Sequence, residues 1–368
     1  MKGQWLGTYS GTNKGTITLN LDEMDDHFAG NAILHCTSAK QPILVVPIAT
    51  ASKKPSGRFK ATNPFHLDPA TGARIAPADL ATKYPALTFP TEATIDYAIQ
   101  NSDLSFSWTT PVGSSGSASL ARSKAGEPSD YKAKVMTWPK FKAFAELQPY
   151  RKTIFRGQER DWRLRTTFHR NSRADLDRYT GQDMRALHAA LAARTRHSYD
   201  LRIPEENAAF LHLAQHHGYP TPLLDWSFSP YVAAFCAFRR VRSDPEPNEK
   251  VRIFMFDHSA WQRDYQQILL LATTTLHLSI LESIAFDNDR SGPQQALSLL
   301  TNIDDVETYI RNCETKRGKT FLTVIDILAS ERDAVIRDLA RMGISAGSMF
   351  PGLDGACEEL KERLFPRW

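Results

Sequence analysis

Long apolar runs are missing from this sequence. No stretch of about 18 consecutive apolar residues occurs, so no membrane-spanning helix is expected. The opening MKGQWLGTYSGTNKG has no apolar stretch behind Lys2, so it does not read as a secretory signal. Cysteine is scarce: Cys36, Cys236, Cys313 and Cys357 lie far apart, with no CxxC pair and no histidine at zinc spacing. That argues against a disulfide framework and a zinc site, and it fits reduced thiols in a cytoplasmic protein with no metal. Net charge is scarce too. The 45 Lys and Arg nearly balance the 41 Asp and Glu, a surplus of +4. A wholesale polyanion binder is thereby excluded, but a local basic patch is not. Internal repeats and the glycine fingerprint of a dinucleotide-binding fold are also absent. What remains is a globular composition, 42% hydrophobic and 23% charged over 368 residues. That length suits two domains of ~100–200 residues each.

The first third reads as all-β. GTITLNLDE and AGNAILHCTS alternate apolar and polar residues, and turn residues separate them at Gly11-Thr12-Asn13, Asp25-Asp26 and Gly30-Asn31. TEATIDYAIQ and LSFSWTTP repeat the pattern, and GSSGSASLARS reads as a closing hairpin. The polar, proline-rich stretch from Ser52 to Pro90 reads as long loops. These features predict an accessory β-sandwich or barrel module over residues 1–122, followed by a linker over 123–136.

From residue 137 to 368 helix and strand patterns mix, which predicts an α+β domain. TWPKFKAFAEL begins at Thr137 as a candidate cap, with Phe141, Phe144 and Leu147 on one face. RKTIFRG reads as a short strand. PEENAAFLHLAQHHG is a helix with Pro204 in its first turn, an apolar stripe ending at His217, and Gly218 as terminator. LLDW is a strand or turn, Ser229-Pro230 opens the helix PYVAAFCAFRRVR, and VRIFMFDH is a strand. SERDAVIRDLARMG is a helix with Ser330 and Asp333 at capping-box spacing.

Charge is unevenly distributed. Residues 151–202 hold thirteen Lys and Arg against six Asp and Glu, with arginine dominant. Two readings stay open: arginines paired to the aspartates among them, or a groove for a polyanion or a pyrophosphate. Trp162, Phe168, His169 and Tyr179 are interleaved there and can stack on bases, although core positions suit Trp162 and Phe168 better.

Three blocks carry a resemblance: IFRGQERDWRLRTTFHR at 154–170, LAQHHGYPTPLLDWSFSPYVAAFCAF at 213–238, and ISAGSMFPGLDG at 344–355. In this order they resemble the FRG-domain family, named for a Phe-Arg-Gly motif that here is Phe155-Arg156-Gly157. Between the second and third blocks the family pattern expects a glycine where NDRSGPQQALSLL has Ala296. The motif order is in turn similar to ADP-ribosyltransferases of the Arg–Ser–Glu type. That resemblance implies NAD as substrate, with Arg156 orienting it and Ser227 or Ser229 in the serine motif. The third position falls at Gln294-Gln295, where no glutamate stands.

Cleaving a nicotinamide–ribose bond passes through an oxocarbenium-like state, so such a site needs a phosphate anchor, a stacking wall and an anion or acceptor near the ribose. Arg156 supplies forked phosphate contact, unless it is an ion pair at a strand end; Gly157 after it lets a ligand approach the backbone. Asp225 is a general base or ribose anchor, or else a helix cap. Trp226 is a stacking wall or a core residue. His216 faces away from the apolar stripe, toward the Asp-Trp turn, and Gln158 shares the strand face of Arg156. Glu282 and Asp354 are reserve acids. The expected catalytic set is therefore Arg156, Asp225, Ser227 and Gln295. The expected NAD-binding set is Arg156, Gly157, Gln158, His216, Trp226, Ser229 and Gln294.

Two functions follow as expectations. The first is an intracellular ADP-ribosyltransferase modifying RNA, DNA or protein, of the kind a toxin or phage-defence effector uses, with a neutralising antitoxin-like partner. The second is a non-catalytic nucleotide- or nucleic-acid-binding module, which accounts for the missing glutamate directly.

Overall fold

The computed structural model describes residues 1–38, 41–242, 244–282 and 288–365. The chain divides into two compact units. The first comprises Met1–Lys124, Phe168–Leu187 and Leu271–Leu276; the second comprises Ala125–Thr167, His188–Leu270 and His277–Trp368. The strands of the first unit are β1 (Gly3–Gly11), β2 (Gly15–Glu23), β3 (Phe28–Cys36), β4 (Ile43–Ala49), β5 (Ser56–Thr62), β6 (Phe65–Leu67), β7 (Arg74–Ile75), β8 (Glu92–Gln100), β9 (Asp103–Thr109) and β10 (Ser115–Leu120). Those of the second are β11 (Lys134–Val135), β12 (Ile154–Gln158), β13 (Leu223–Ser227), β14 (Lys250–Phe256), β15 (Leu278–Leu281), β16 (Ala296–Thr301) and β17 (Leu322–Leu328). The helices used below are α1 (Pro77–Lys83), α2 (Trp138–Glu146), α3 (Thr167–Arg170), α4 (Leu176–Arg178), α5 (Met184–Leu191), α6 (Pro204–His216), α7 (Pro230–Phe238), α8 (His258–Asp264), α9 (Val306–Arg317), α10 (Arg332–Arg341), α11 (Ala346–Met349) and α12 (Leu353–Leu364).

In the first unit, alternation puts Ile17, Leu19 and Leu21 of β2 on one buried face, as period two requires. The ten strands form one antiparallel sheet in the order β5-β8-β9-β10-β1-β2-β3-β4-β6-β7. It curls on itself until β5 comes back against β4 without pairing to it, a half-barrel rather than two packed sheets. The stretch from Ser52 to Pro90 is not all loop: it holds β5, β6, β7 and α1. Strand β5 hides from sequence reading because most of its residues face solvent and only Ala61 is fully buried. The segment Phe168–Leu187 belongs to this unit through Asp22, which is wholly buried. Its carboxylate accepts the backbone N–H groups of Ala174 at 2.8 Å and Asp175 at 3.2 Å, and it pairs with Arg173 and, at 3.6 Å, with Arg178.

The second unit is built on a sheet in the order β11-β17-β14-β12-β13-β16-β15, antiparallel except for β11 with β17. One core, formed by α2, α7, α10 and α11 residues such as Phe141, Phe235, Leu339 and Met349, includes Phe155, Ile253 and Ile325 of the strands. The other, formed by Trp261 of α8 and Val306 and Ile310 of α9, includes Ile154, Trp226, Phe254 and Leu299. Helix caps fall partly where expected. Ser229 accepts the Val232 N–H at the start of α7, and Gly218 after α6 takes φ +83°. Thr137 makes no side-chain cap; Glu331 accepts the Trp138 N–H at 2.8 Å instead. The expected Ser330–Asp333 box does not form, because residues 329–331 make a 3₁₀ turn and α10 starts at Arg332. Leu147 is 81% exposed rather than packed with Phe141.

Candidate functional site

Strands β12 and β13 share a single register pair, Phe155 with Ser227. Beyond it they diverge, each continuing along its other neighbour: β12 pairs β14 through Gln158, and β13 pairs β16 along its whole length. The sheet therefore forks, and Arg156 spans the gap by donating from Nη1 to the carbonyl of Asp225 at 2.5 Å. The Nε of Arg156 is buried with no partner among the described residues. Desolvation pulls the Arg156 pKa below its ordinary value, against the opposing pull of Asp225 and then Cys236.

Asp225 is exposed although both its strand neighbours, Leu224 and Trp226, are buried. Its Oδ1 accepts from Gln215 Nε2 and from Ser298 Oγ, the latter at 3.3 Å, and Gln215 is itself held by Thr221. Gln215 lies on α6 between two histidines. The spacing of His212, Gln215 and His216, three and four residues apart, puts all three on one face of the helix. His212 is buried, neither ring nitrogen has a partner among the described residues, and its ring lies 6.2 Å from that of His216. Burial lowers its pKa to about 4, with the Asp225 charge opposing the shift, so it is neutral at pH 7. His216 donates from Nδ1 to Asn288 Oδ1 at 2.6 Å, and its carbonyl accepts from Arg290. Cys236 on α7 is exposed, yet desolvation raises its thiol pKa, with the Arg156 charge opposing.

Several expected site residues have other duties. Gly157 does not make room for a ligand: a Cβ there would stand 1.9 Å from the Ala233 carbonyl and 2.8 Å from the Ala237 nitrogen, so its bare backbone admits α7. Gln158 is buried and donates to the Trp162 carbonyl at 2.7 Å. Trp226 is not a stacking wall; it lies in the core, tilted against Phe256 at 5.8 Å. The Ser227 hydroxyl donates to the Gln294 carbonyl at 2.7 Å and accepts the Ser229 N–H at 3.0 Å, while Ser229 caps α7. Gln294 donates from Nε2 to the Met349 carbonyl at 2.8 Å, tying the third sequence block to this loop. Gln295 is exposed at φ +46°, and its carbonyl accepts the Phe228 N–H. His217 is exposed and not part of the apolar stripe, and Asp354 sits in the first turn of α12, whose cap is Gly352. Thus Arg156, Asp225, Ser227, Gln294 and Gln295 come together at one fork, but the groups open to chemistry are Arg156, Asp225 and the α6 face. His212, Gln215, Cys236 and Ser298 were not picked out from sequence; the His-x-x-Gln-His spacing on α6 is the signal that could have found two of them.

Six of the thirteen cations of the basic stretch are ion-paired within their own unit. Arg160, Arg163, Arg165 and Arg202 are ion-paired in the second unit, and Arg173 and Arg178 in the first. Phe168 is core, as expected, but Trp162 is 45% exposed. No group of three or more potential metal ligands occurs among the described residues, and no helix there is long and apolar enough to cross a membrane.

The second unit thus defines an α+β protein with a forked antiparallel sheet and one polar cluster at the fork. The family comparison agrees with the motif reading. The FRG domain model matches residues 151–246, so this chain carries an FRG domain. No curated protein and no solved structure matches the chain.

Proposed function

We propose that the fork is a nucleotide site that acts on the nicotinamide–ribose bond of NAD and passes ADP-ribose to a nucleic acid or protein acceptor. The observation that carries this reading is an exposed carboxylate on Asp225, whose own backbone carbonyl accepts from the desolvated guanidinium of Arg156, the Nε of which has no partner among the described residues. Arg156 would hold the phosphates. Asp225, oriented by Gln215 and Ser298, would take the place of the glutamate expected near Gln294-Gln295 and stabilise positive charge developing on the ribose. As the nicotinamide leaves with the bonding electron pair, the acceptor's nucleophile forms the new bond and gives up its proton to Asp225 or His216. An activity of this kind inside a cell suits a toxin or defence effector held in check by a partner.

A second reading, nucleotide binding without turnover, is favoured by one observation: both motif serines are committed to the fold. One experiment separates the two. Purified full-length protein is incubated with NAD labelled in the adenylate part and with total RNA, DNA and protein. Nicotinamide release with label transfer is expected, falling about 100-fold or more in Asp225→Asn. Saturable NAD binding with no release supports the second reading. If wild-type protein neither binds nor cleaves NAD, both readings fail.

A further inference from the structure

The first unit contains a cavity that the fork does not use. It lies inside the curled sheet, has a volume of about 410 Å³, and is walled by residues from nearly every strand. We infer that this interior is a binding site for an uncharged, largely apolar small molecule.

Three observations carry the inference. The volume falls within the ~300–1,000 Å³ typical of small-molecule pockets and is too small for a folded partner. The wall is apolar, with Tyr9, Leu19, Leu34, Val46, Phe106 and Trp108 among its residues. Four of these, Leu34, Val46, Phe106 and Trp108, are packed on the core cluster yet only partly buried, because the curl leaves space in front of them. Polar groups gather toward strand ends: Thr12, Asn13, Gln41, Thr110 and Ser114 line the cavity from residues at or between strand ends. They offer hydroxyls and amides to a neutral head group.

Charge decides the ligand class. Among the described residues no lysine or arginine lines the wall, so their side chains offer a carboxylate or phosphate head no permanent cation. The one lining carboxylate, Glu92, is already paired with Lys60 at 2.7 Å, so an ammonium head gains little. Phe89, from the segment between α1 and β8, closes part of the wall by packing edge-on against His66 at 4.5 Å. The occupant that fits is a neutral amphiphile, with its apolar body inside and a hydroxyl or amide toward the strand ends.

The test uses the full-length protein and the neutral probe N-phenyl-1-naphthylamine, which brightens in apolar surroundings. Saturable binding at one site per chain is expected, with Kd near 10 µM or below. Displacement by 1-dodecanol should be about tenfold or more stronger than by dodecanoate at pH 8. Ala93→Phe and Val46→Phe each place a ring in the cavity. Both should weaken the probe about tenfold while the far-ultraviolet circular dichroism is kept. A fold lost in one variant leaves the other to decide, and the alcohol-over-carboxylate preference is read on wild type alone. Absence of saturable binding, equal displacement by dodecanol and dodecanoate, or unchanged affinity in a folded filling variant would overturn the inference.

Discussion

At the scale of single residues, His212 concentrates the electrostatic character of the site. It is a 3% exposed imidazole whose two ring nitrogens lack partners among the described residues, set beside a carboxylate and a second imidazole. Its pKa falls from 6.5 to about 4 on folding, so the unfolded chain takes up the proton first on acidification. Its contribution to stability is therefore complete above pH 6.5 and is lost progressively as the pH falls toward 4. At pH 5 the loss is about 2 kcal/mol for this one group. Urea unfolding at pH 7 and pH 5 should show wild type losing about that much more than His212→Leu. His277, lowered to about 4 by burial, adds a loss of the same sign to both proteins and cancels in the comparison. Equal losses in the two proteins would refute the assignment. Residues such as Arg156 and Asp225 were legible in the sequence because a charge beside a glycine or a tryptophan in a short strand is conspicuous. His212, Gln215 and Ser298 were not, because a helical histidine among leucines, a glutamine and a strand serine are ordinary until β13 and β16 pair and α6 faces them.

At the scale of elements, the sequence showed most strands and helices but not their neighbours. GTITLNLDE, PEENAAFLHLAQHHG and VRIFMFDH became β2, α6 and β14 near the expected bounds. The order of the second sheet, and hence the fork, rests on pairings between distant segments, about 75 residues apart for Leu224 with Leu299 and Arg252 with Asp326 and about 190 for Lys134 with Ile325, which no local period encodes. The family motif itself changed meaning at this scale. Gly157 is required by the approach of α7 to β12, where the Ala233 carbonyl occupies the place of a Cβ. Gly157→Ala should force the helix off the strand and cost about 3 kcal/mol, at the upper end of overpacking effects. The loss should appear as a lower urea midpoint with an unchanged slope. Because α7 also carries Cys236 beside Arg156, the same variant should weaken any ligand bound at the fork. A Gly157→Ala protein as stable as wild type would mean that the helix can shift freely and that the motif glycine is there for another reason.

At the scale of the whole molecule, the β-rich module was legible from alternation and turns, while its full membership was not. Residues 168–187 lie in the middle of the FRG match and carry part of the basic stretch, yet they pack with the first unit. The reason is one buried carboxylate. Asp22 is wholly buried in β2 and satisfied by two backbone N–H groups and two arginines of that segment. Sequence could not supply this pairing, because Asp22 reads as an ordinary polar residue in an alternating strand and its partners lie about 150 residues away. Removing the carboxylate leaves the Ala174 and Asp175 amides unpaired and takes one partner from each of Arg173 and Arg178, a loss of about 3 kcal/mol at about 1–3 kcal/mol per unsatisfied buried amide. Asp22→Ala should therefore open residues 168–187 locally. Cleavage by trypsin within the segment should rise at least about tenfold under conditions where opening is fast relative to cleavage. Sites in residues 250–365 should be cut at the wild-type rate, since the second core has no part in this contact. The cycle with Arg173→Ala should show coupling of about 1–3 kcal/mol. Unchanged cleavage in the segment, or additive single losses, would show that Asp22 is not what holds it, and the division of the chain into its two units would then need another physical basis.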